Sequence, residues 1–209
     1  MKSRHFLFVF LLQVVAISVQ AARVDTVFVK SSSMNKDVKV VYILPDKAVA
    51  KKPQACPAVY LLHGYGGNAG TWIGIRPELS QIADEKGIIF VCPDGKNSWY
   101  WDSPKNSSYR YETFISSELV NYTDTHYATV PEKRGRAITG LSMGGHGALW
   151  NAIRHKDVFG AAGSTSGGVD IRPFPNNWEM KKQLGELTAN EEIWNSHTVI
   201  NQVDKLKNG

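Results

Sequence analysis

Between residues 58 and 166 the chain alternates short apolar runs with helical patterns, and nothing else in it constrains the fold as strongly. Residues 58–62 are continuously apolar, which suits a strand covered on both faces. Ile75, Leu79, Ile82 and Ala83 then recur at helical spacing within 72–86, and Gly87 ends the pattern. A second buried run, 88–91, precedes a long irregular stretch, 93–110, that holds Trp99, Tyr100, Trp101 and Tyr109. Long loops inside compact domains often line a site. Residues 114–127 read as a helix with Ile115, Leu119, Tyr122 and His126 on one stripe, 136–141 as a strand, 143–156 as a helix and 159–166 as a small-residue strand. Strands joined through helices return in the same direction, so the expected core is an α/β, mostly parallel sheet with helices on both faces. Upstream, 25–30 and 37–44 alternate and are rich in Val, an antiparallel hairpin. Past Ser166 the pattern weakens, and 177–185 and 188–206 hold polar helical pieces.

The first 22 residues read as an address. Lys2 and Arg4 precede an apolar run, residues 6–17, broken only by Gln13, and small residues follow at 18–22. This order describes a secretory signal, and the run is too short to span a bilayer comfortably. The expected mature domain is therefore 23–209, secreted or periplasmic, without stable membrane insertion. The formal net charge of +5 falls to +3 without Lys2 and Arg4. So small a value gives no reason to invoke nucleic acid or anionic membrane as a partner. The two cysteines, Cys56 and Cys92, fall at opposite ends of neighbouring strands. A bridge needs Cα atoms within about 7 Å, so both are expected as free thiols. No metal-ligand spacing and no cofactor motif with the right context appears.

The chemistry centres on Gly140-Leu141-Ser142-Met143-Gly144, a G-x-S-x-G match placed between a strand and a helix. The reversal after the strand strains the Ser backbone and lifts Oγ into the open, and the helix N-terminus favours developing negative charge. Acyl transfer also needs two N–H donors for its oxyanion. Met143 supplies one; the turn His63-Gly64-Tyr65-Gly66-Gly67 supplies the other, through Tyr65. His63 precedes Ser142 on a strand end and reads as a loop-shaping side chain rather than the base. The same turn fits a dinucleotide fingerprint through Gly64, Gly66 and Ala69, but the acids about 20 residues on, Asp84 and Glu85, fall inside the predicted helix.

These residues, together with Pro93-Asp94-Gly95, Ser98-Trp99-Tyr100 and His146, resemble the esterase D family of α/β-hydrolases. That family includes S-formylglutathione hydrolases, secreted acetyl and feruloyl esterases and the antigen 85 mycolyltransferases. The resemblance covers residues 38 to 166. It implies an α/β-hydrolase fold, Ser142 as nucleophile, Tyr65 and Met143 N–H groups as oxyanion hole, and Trp99 and Trp101 near the substrate. His146 and His155 read as structural. In this family the acid and base follow two further strands. The expectation is thus a C-terminally incomplete sheet, with the triad partners beyond Gly209 and little activity in the 209-residue chain. Asp170 with His197 satisfies the chain order and is the alternative pair. The implied function is a secreted serine carboxylesterase acting on acylated carbohydrates or small acyl esters. The alternatives are a non-catalytic, carbohydrate-binding scaffold and a thioesterase of the S-formylglutathione hydrolase type.

Overall fold

The computed structural model describes residues 22–206, so residues 1–21 of the expected leader lie outside the described residues. Among the described residues six strands form one sheet: β1 (Arg23–Ser31), β2 (Lys36–Leu44), β3 (Ala58–Leu62), β4 (Ile89–Pro93), β5 (Arg136–Gly140) and β6 (Ala161–Ala162). Their order is β1-β2-β4-β3-β5-β6. β1 and β2 make the expected hairpin, and β2 meets β4 antiparallel. β4, β3, β5 and β6 run parallel. The register pairs Leu62 with Gly140, so β3 and β5 end side by side. Ligands of open parallel sheets bind beyond such carboxyl ends.

The helices are α1 (Asp46–Val49), α2 (Thr71–Ile75), α3 (Leu79–Lys86), α4 (Tyr111–Thr113), α5 (Leu119–His126), α6 (Met143–Arg154), α7 (Met180–Leu184) and α8 (Glu191–Ser196). Because side chains alternate along a strand, each strand feeds two cores. On one face Val40, Tyr42, Tyr60, Leu62 and Val91 pack with Leu119, Ala148 and Trp150. On the other, Val41, Ile43, Leu61 and Phe90 pack with Leu79 and Ala83. Cys56 and Cys92 are buried, free and divided between these faces. Among the described residues no helix is long and apolar enough to cross a membrane.

Three elements differ from the sequence reading. The helix expected over 72–86 is two, α2 and α3, because Pro77 lies between them and has no N–H for a continuous ladder. The helix expected over 114–127 opens with a π-helical turn, Phe114–Glu118. The strand expected over 159–166 pairs regularly only at Ala161–Ala162, although Gly163 and Thr165 still donate to the Ile138 and Gly140 carbonyls at 2.9 Å each. Asp84 sits within α3 and accepts the Asp46 N–H at 2.8 Å, which removes it from any ribose-binding position.

Candidate active site

The elbow after β5 is held from three sides. Leu141 N–H donates to the Leu62 carbonyl of β3 at 3.2 Å, Ser142 N–H to Thr165 at 2.8 Å, and Gly144 N–H back to Leu141 at 2.8 Å. A Cβ on Gly140 would lie 2.4 Å from the Gly144 carbonyl, and one on Gly144 would lie 2.2 Å from the Leu62 carbonyl oxygen. Only bare backbone lets α6 begin this close to β3. Ser142 is thereby fixed at φ 55°, ψ −114°, a conformation that costs of order 1–3 kcal/mol and persists only when its surroundings over-determine it.

The turn after β3 abuts the elbow, for a Cβ on Gly64 would lie 3.6 Å from Ser142 Cβ. His63 is 1% exposed. Its Nε2 accepts the Gly95 N–H at 2.9 Å, so Nδ1 carries the proton and donates to the Gly64 carbonyl at 2.7 Å. Both nitrogens shape loops. Gly66 N–H donates to Asn97 Oδ1 at 2.9 Å and Gly67 N–H to Gly64 at 3.0 Å. The N–H groups of Tyr65 and Met143 donate to no carbonyl or side chain among the described residues.

Ser142 opens on a cavity of about 220 Å³ walled by Tyr65, Trp99, Ile171, Phe174, Trp178 and Met180, with Asp170 at its edge. The two tryptophans named from the sequence part company here. Trp99 forms a wall, its indole N–H on the Trp178 carbonyl at 3.3 Å. Trp101 is fully buried behind it, stacked at 5.5 Å, outside the cavity lining. Its indole N–H donates to His146 Nε2 at 2.8 Å, which leaves Nδ1–H of His146 to donate to the Gly168 carbonyl at 2.7 Å. Burial pushes the His146 imidazole down to about 4. Seven non-glycine residues with positive φ cluster in these loops: Lys96, Trp99, Tyr100, Ser142, Ser166, Trp178 and Glu179. Phe174, Trp178, Ile171 and Met180 escaped the sequence reading. The signal was Pro173-Phe174-Pro175 and Trp178, aromatics in a stretch with no element to hide them.

The described histidines are all engaged elsewhere. His155 Nε2 and the Arg154 guanidinium reach Glu112 at 2.9 and 2.7 Å. Against the cost of burial, bonds from His155, Arg154 and Trp150 hold the Glu112 carboxyl down at about 2. His126 stacks on Tyr122 at 3.9 Å. His197 stacks on Trp150 at 5.3 Å and its Nδ1 meets the Ile193 carbonyl at 2.8 Å. Asp170 is turned to Arg172, whose Nε and Nη2 donate at 2.8 and 2.7 Å. Asp170 and His197 therefore form no pair. Among the described residues no group of three His, Cys, Asp or Glu side chains could hold a metal ion.

Residues 31–208 match the family model described as "Putative esterase". An acetyl esterase of Caldicellulosiruptor saccharolyticus is 32% identical over 62% of this chain and 50% of its own. The MPT51/MPB51 antigen of Mycobacterium bovis is 33% identical over 76% of this chain and 48% of its own. The chain thus spans about half the length of these curated relatives. Among solved structures, an S-formylglutathione hydrolase from Agrobacterium tumefaciens superposes with a TM-score of 0.74 at 20% identity, over 89% of this chain and 74% of its own. That likeness places the sheet and its elbow in the α/β-hydrolase fold. With most of its length matched by one family model, the chain belongs to this esterase family.

Proposed function

We propose that the protein is a secreted serine carboxylesterase with Ser142 as nucleophile. Ser142 Oγ attacks the ester carbonyl carbon and the carbonyl electrons move onto oxygen. The N–H groups of Tyr65 and Met143 hold that oxyanion, a role worth about 3–4 kcal/mol per donor in comparable sites. The carbon–oxygen bond to the alcohol then breaks, the alcohol leaves with a proton, and an acyl-enzyme remains on Ser142. Water attacks the acyl carbon, the carboxylic acid departs, and the Ser142 hydroxyl is restored. Trp99 forms one wall for the bound ester; Trp101 supports it from behind through His146. The proton transfers are assigned to none of the described histidines. The leader-like composition of residues 1–22 supports export, which with the family resemblance favours acylated carbohydrates or small acyl esters over a cytosolic thioester.

The observation that carries this reading is the strained Ser142 opening on a cavity beside two uncommitted N–H groups. It is tested by hydrolysis of p-nitrophenyl acetate by the natively produced protein: turnover is expected and is lost in Ser142→Ala. Turnover retained in that variant rejects the assignment. A non-catalytic fold that binds sugar is the second reading, favoured by the engagement of the described histidines in structural contacts. It expects no turnover from the native protein and no covalent labelling of Ser142.

A further inference from the structure

The Tyr65 N–H belongs to the Gly64–Tyr65 peptide, and that peptide is gripped by its carbonyl. The Gly64 oxygen accepts His63 Nδ1–H at 2.7 Å and the Gly67 N–H at 3.0 Å. In a planar trans peptide the N–H points opposite to the C=O, so these two bonds also aim the Tyr65 N–H. They act on one side of Tyr65 only. Its own φ and ψ are governed by what holds its side chain and the peptide that follows.

Both of those are held by one small network. The Gly66 N–H donates to Asn97 Oδ1 at 2.9 Å, and Asn97 Nδ2 donates to Glu179 Oε2 at 3.3 Å. The Tyr65 hydroxyl is hydrogen-bonded to the Glu179 carboxylate. The circuit therefore runs from the Tyr65 side chain through Glu179 and Asn97 to the next backbone N–H. Bonds from Lys182, Asn97 and Tyr65 hold the Glu179 carboxyl below the usual carboxylate range, so it stays an acceptor.

Glu179 is an unusual residue to find there. Trp178 and Glu179 are consecutive residues at φ 48° and 57°, the left-handed region where glycine is free of strain. The Glu179 side chain is 38% exposed, and ion pairs and hydrogen bonds at such a surface add little to stability. A glycine would suit the backbone better, and what glutamate adds is its carboxylate. Strain of this kind persists where the surroundings over-determine it and clusters at functional sites.

We propose that Glu179 and Asn97 are positioning residues, which together fix Tyr65 so that its N–H meets the oxyanion. The proposal rests on the esterase reading.

The test measures kcat, KM and Tm for hydrolysis of p-nitrophenyl acetate by the natively produced protein. Losing an oxyanion donor outright costs about 10²–10³-fold in kcat, so a donor displaced but still present should cost about tenfold. That loss is expected in Glu179→Gly and Asn97→Ala, with KM unchanged, because the interaction is made in the transition state. Glu179→Gly is expected to match or exceed the parent in Tm, which separates positioning from folding. Glu179→Gln keeps an acceptor oxygen and should retain kcat. Tyr65→Phe should lower kcat in the parent and add nothing in Glu179→Gly, since both cut the same bond; it carries the test if Asn97→Ala does not fold. Parental kcat in Glu179→Gly and Tyr65→Phe overturns the proposal. A loss confined to KM also overturns it, assigning Glu179 to the cavity wall through Trp178. Equal losses in Glu179→Gln and Glu179→Gly overturn it in favour of charge. A parent without Ser142-dependent turnover overturns the esterase reading and the positioning with it; an active parent with unaffected variants overturns the positioning alone.

Discussion

Two glycine-rich turns meet at the site, and they are held by opposite means. In the elbow after β5, Gly140 and Gly144 are packed so tightly against each other and against Leu62 that an added Cβ would fall within 2.4 Å of backbone. In the turn after β3, Gly66 has open space around the position of a Cβ, and its N–H is held by the side chain of Asn97. One turn is locked by backbone contact with the central strand. The other is tied to a segment 31 and 32 residues away through side chains: Asn97 accepts the Gly66 N–H, and the turn's own His63 accepts the Gly95 N–H. The proposed nucleophile Ser142 thus sits on the rigid arm, and the proposed oxyanion donor Tyr65 on the one that side-chain substitution can adjust.

The largest expected effect tests the rigid arm. Gly144→Ala should cost more than about 4 kcal/mol, because the clash is with backbone that cannot rotate away. A urea midpoint within experimental error of the parent would break the comparison. The next concerns His146, which ties α6 to Gly168 and Trp101. Its imidazole is held down at about 4 in the fold against an ordinary 6.5, so the unfolded chain binds more protons between those values. Stability should therefore fall as pH drops from about 6.5 to about 4, by up to about 3 kcal/mol from this group. His146→Gln, which can both accept from Trp101 and donate to Gly168, should flatten that slope in chemical denaturation; an unchanged slope would assign it to other groups.

The adjustable arm predicts smaller changes. Gly66→Ala has the space but not the backbone angle, with φ at 75°, and should cost about 1–2 kcal/mol. A loss as large as that of Gly144→Ala would erase the distinction between the turns. Smallest, and opposite in sign, is Ser142→Gly. Removing the side chain from φ 55° should relieve strain and stabilise by about 1 kcal/mol, raising Tm by about 2–4 °C. A lower Tm would mean that Ser142 makes stabilising contacts that outweigh its strain.

The sequence disclosed what depends on local pattern. Buried runs, the elbow and the Gly-rich turn are short-range features, and β3, β5, α6 and Ser142 stand where the pattern put them. Trp99 and Trp101 show where it failed. They lie two residues apart in one loop, and composition treats them alike. The positive φ of Trp99 and Tyr100 turns the loop so that the first indole faces the cavity and the second enters the core. The other cavity walls, Ile171, Phe174, Trp178 and Met180, were illegible for a related reason. They are placed by contacts such as Trp99 with Trp178 and Asn97 with Glu179, between segments about 80 residues apart, and no periodicity records such contacts.

The central claim is that the strained serine of the elbow is the nucleophile, and active-site labelling tests it most directly. The natively produced protein is treated with a fluorophosphonate probe, digested with trypsin and mapped by mass spectrometry. Trypsin releases residues 137–154 as one peptide, in which Ser142 is the sole serine. The account predicts a single phosphonate adduct on that peptide, absent in Ser142→Ala. An adduct on another peptide, or undiminished labelling of the variant, would contradict it.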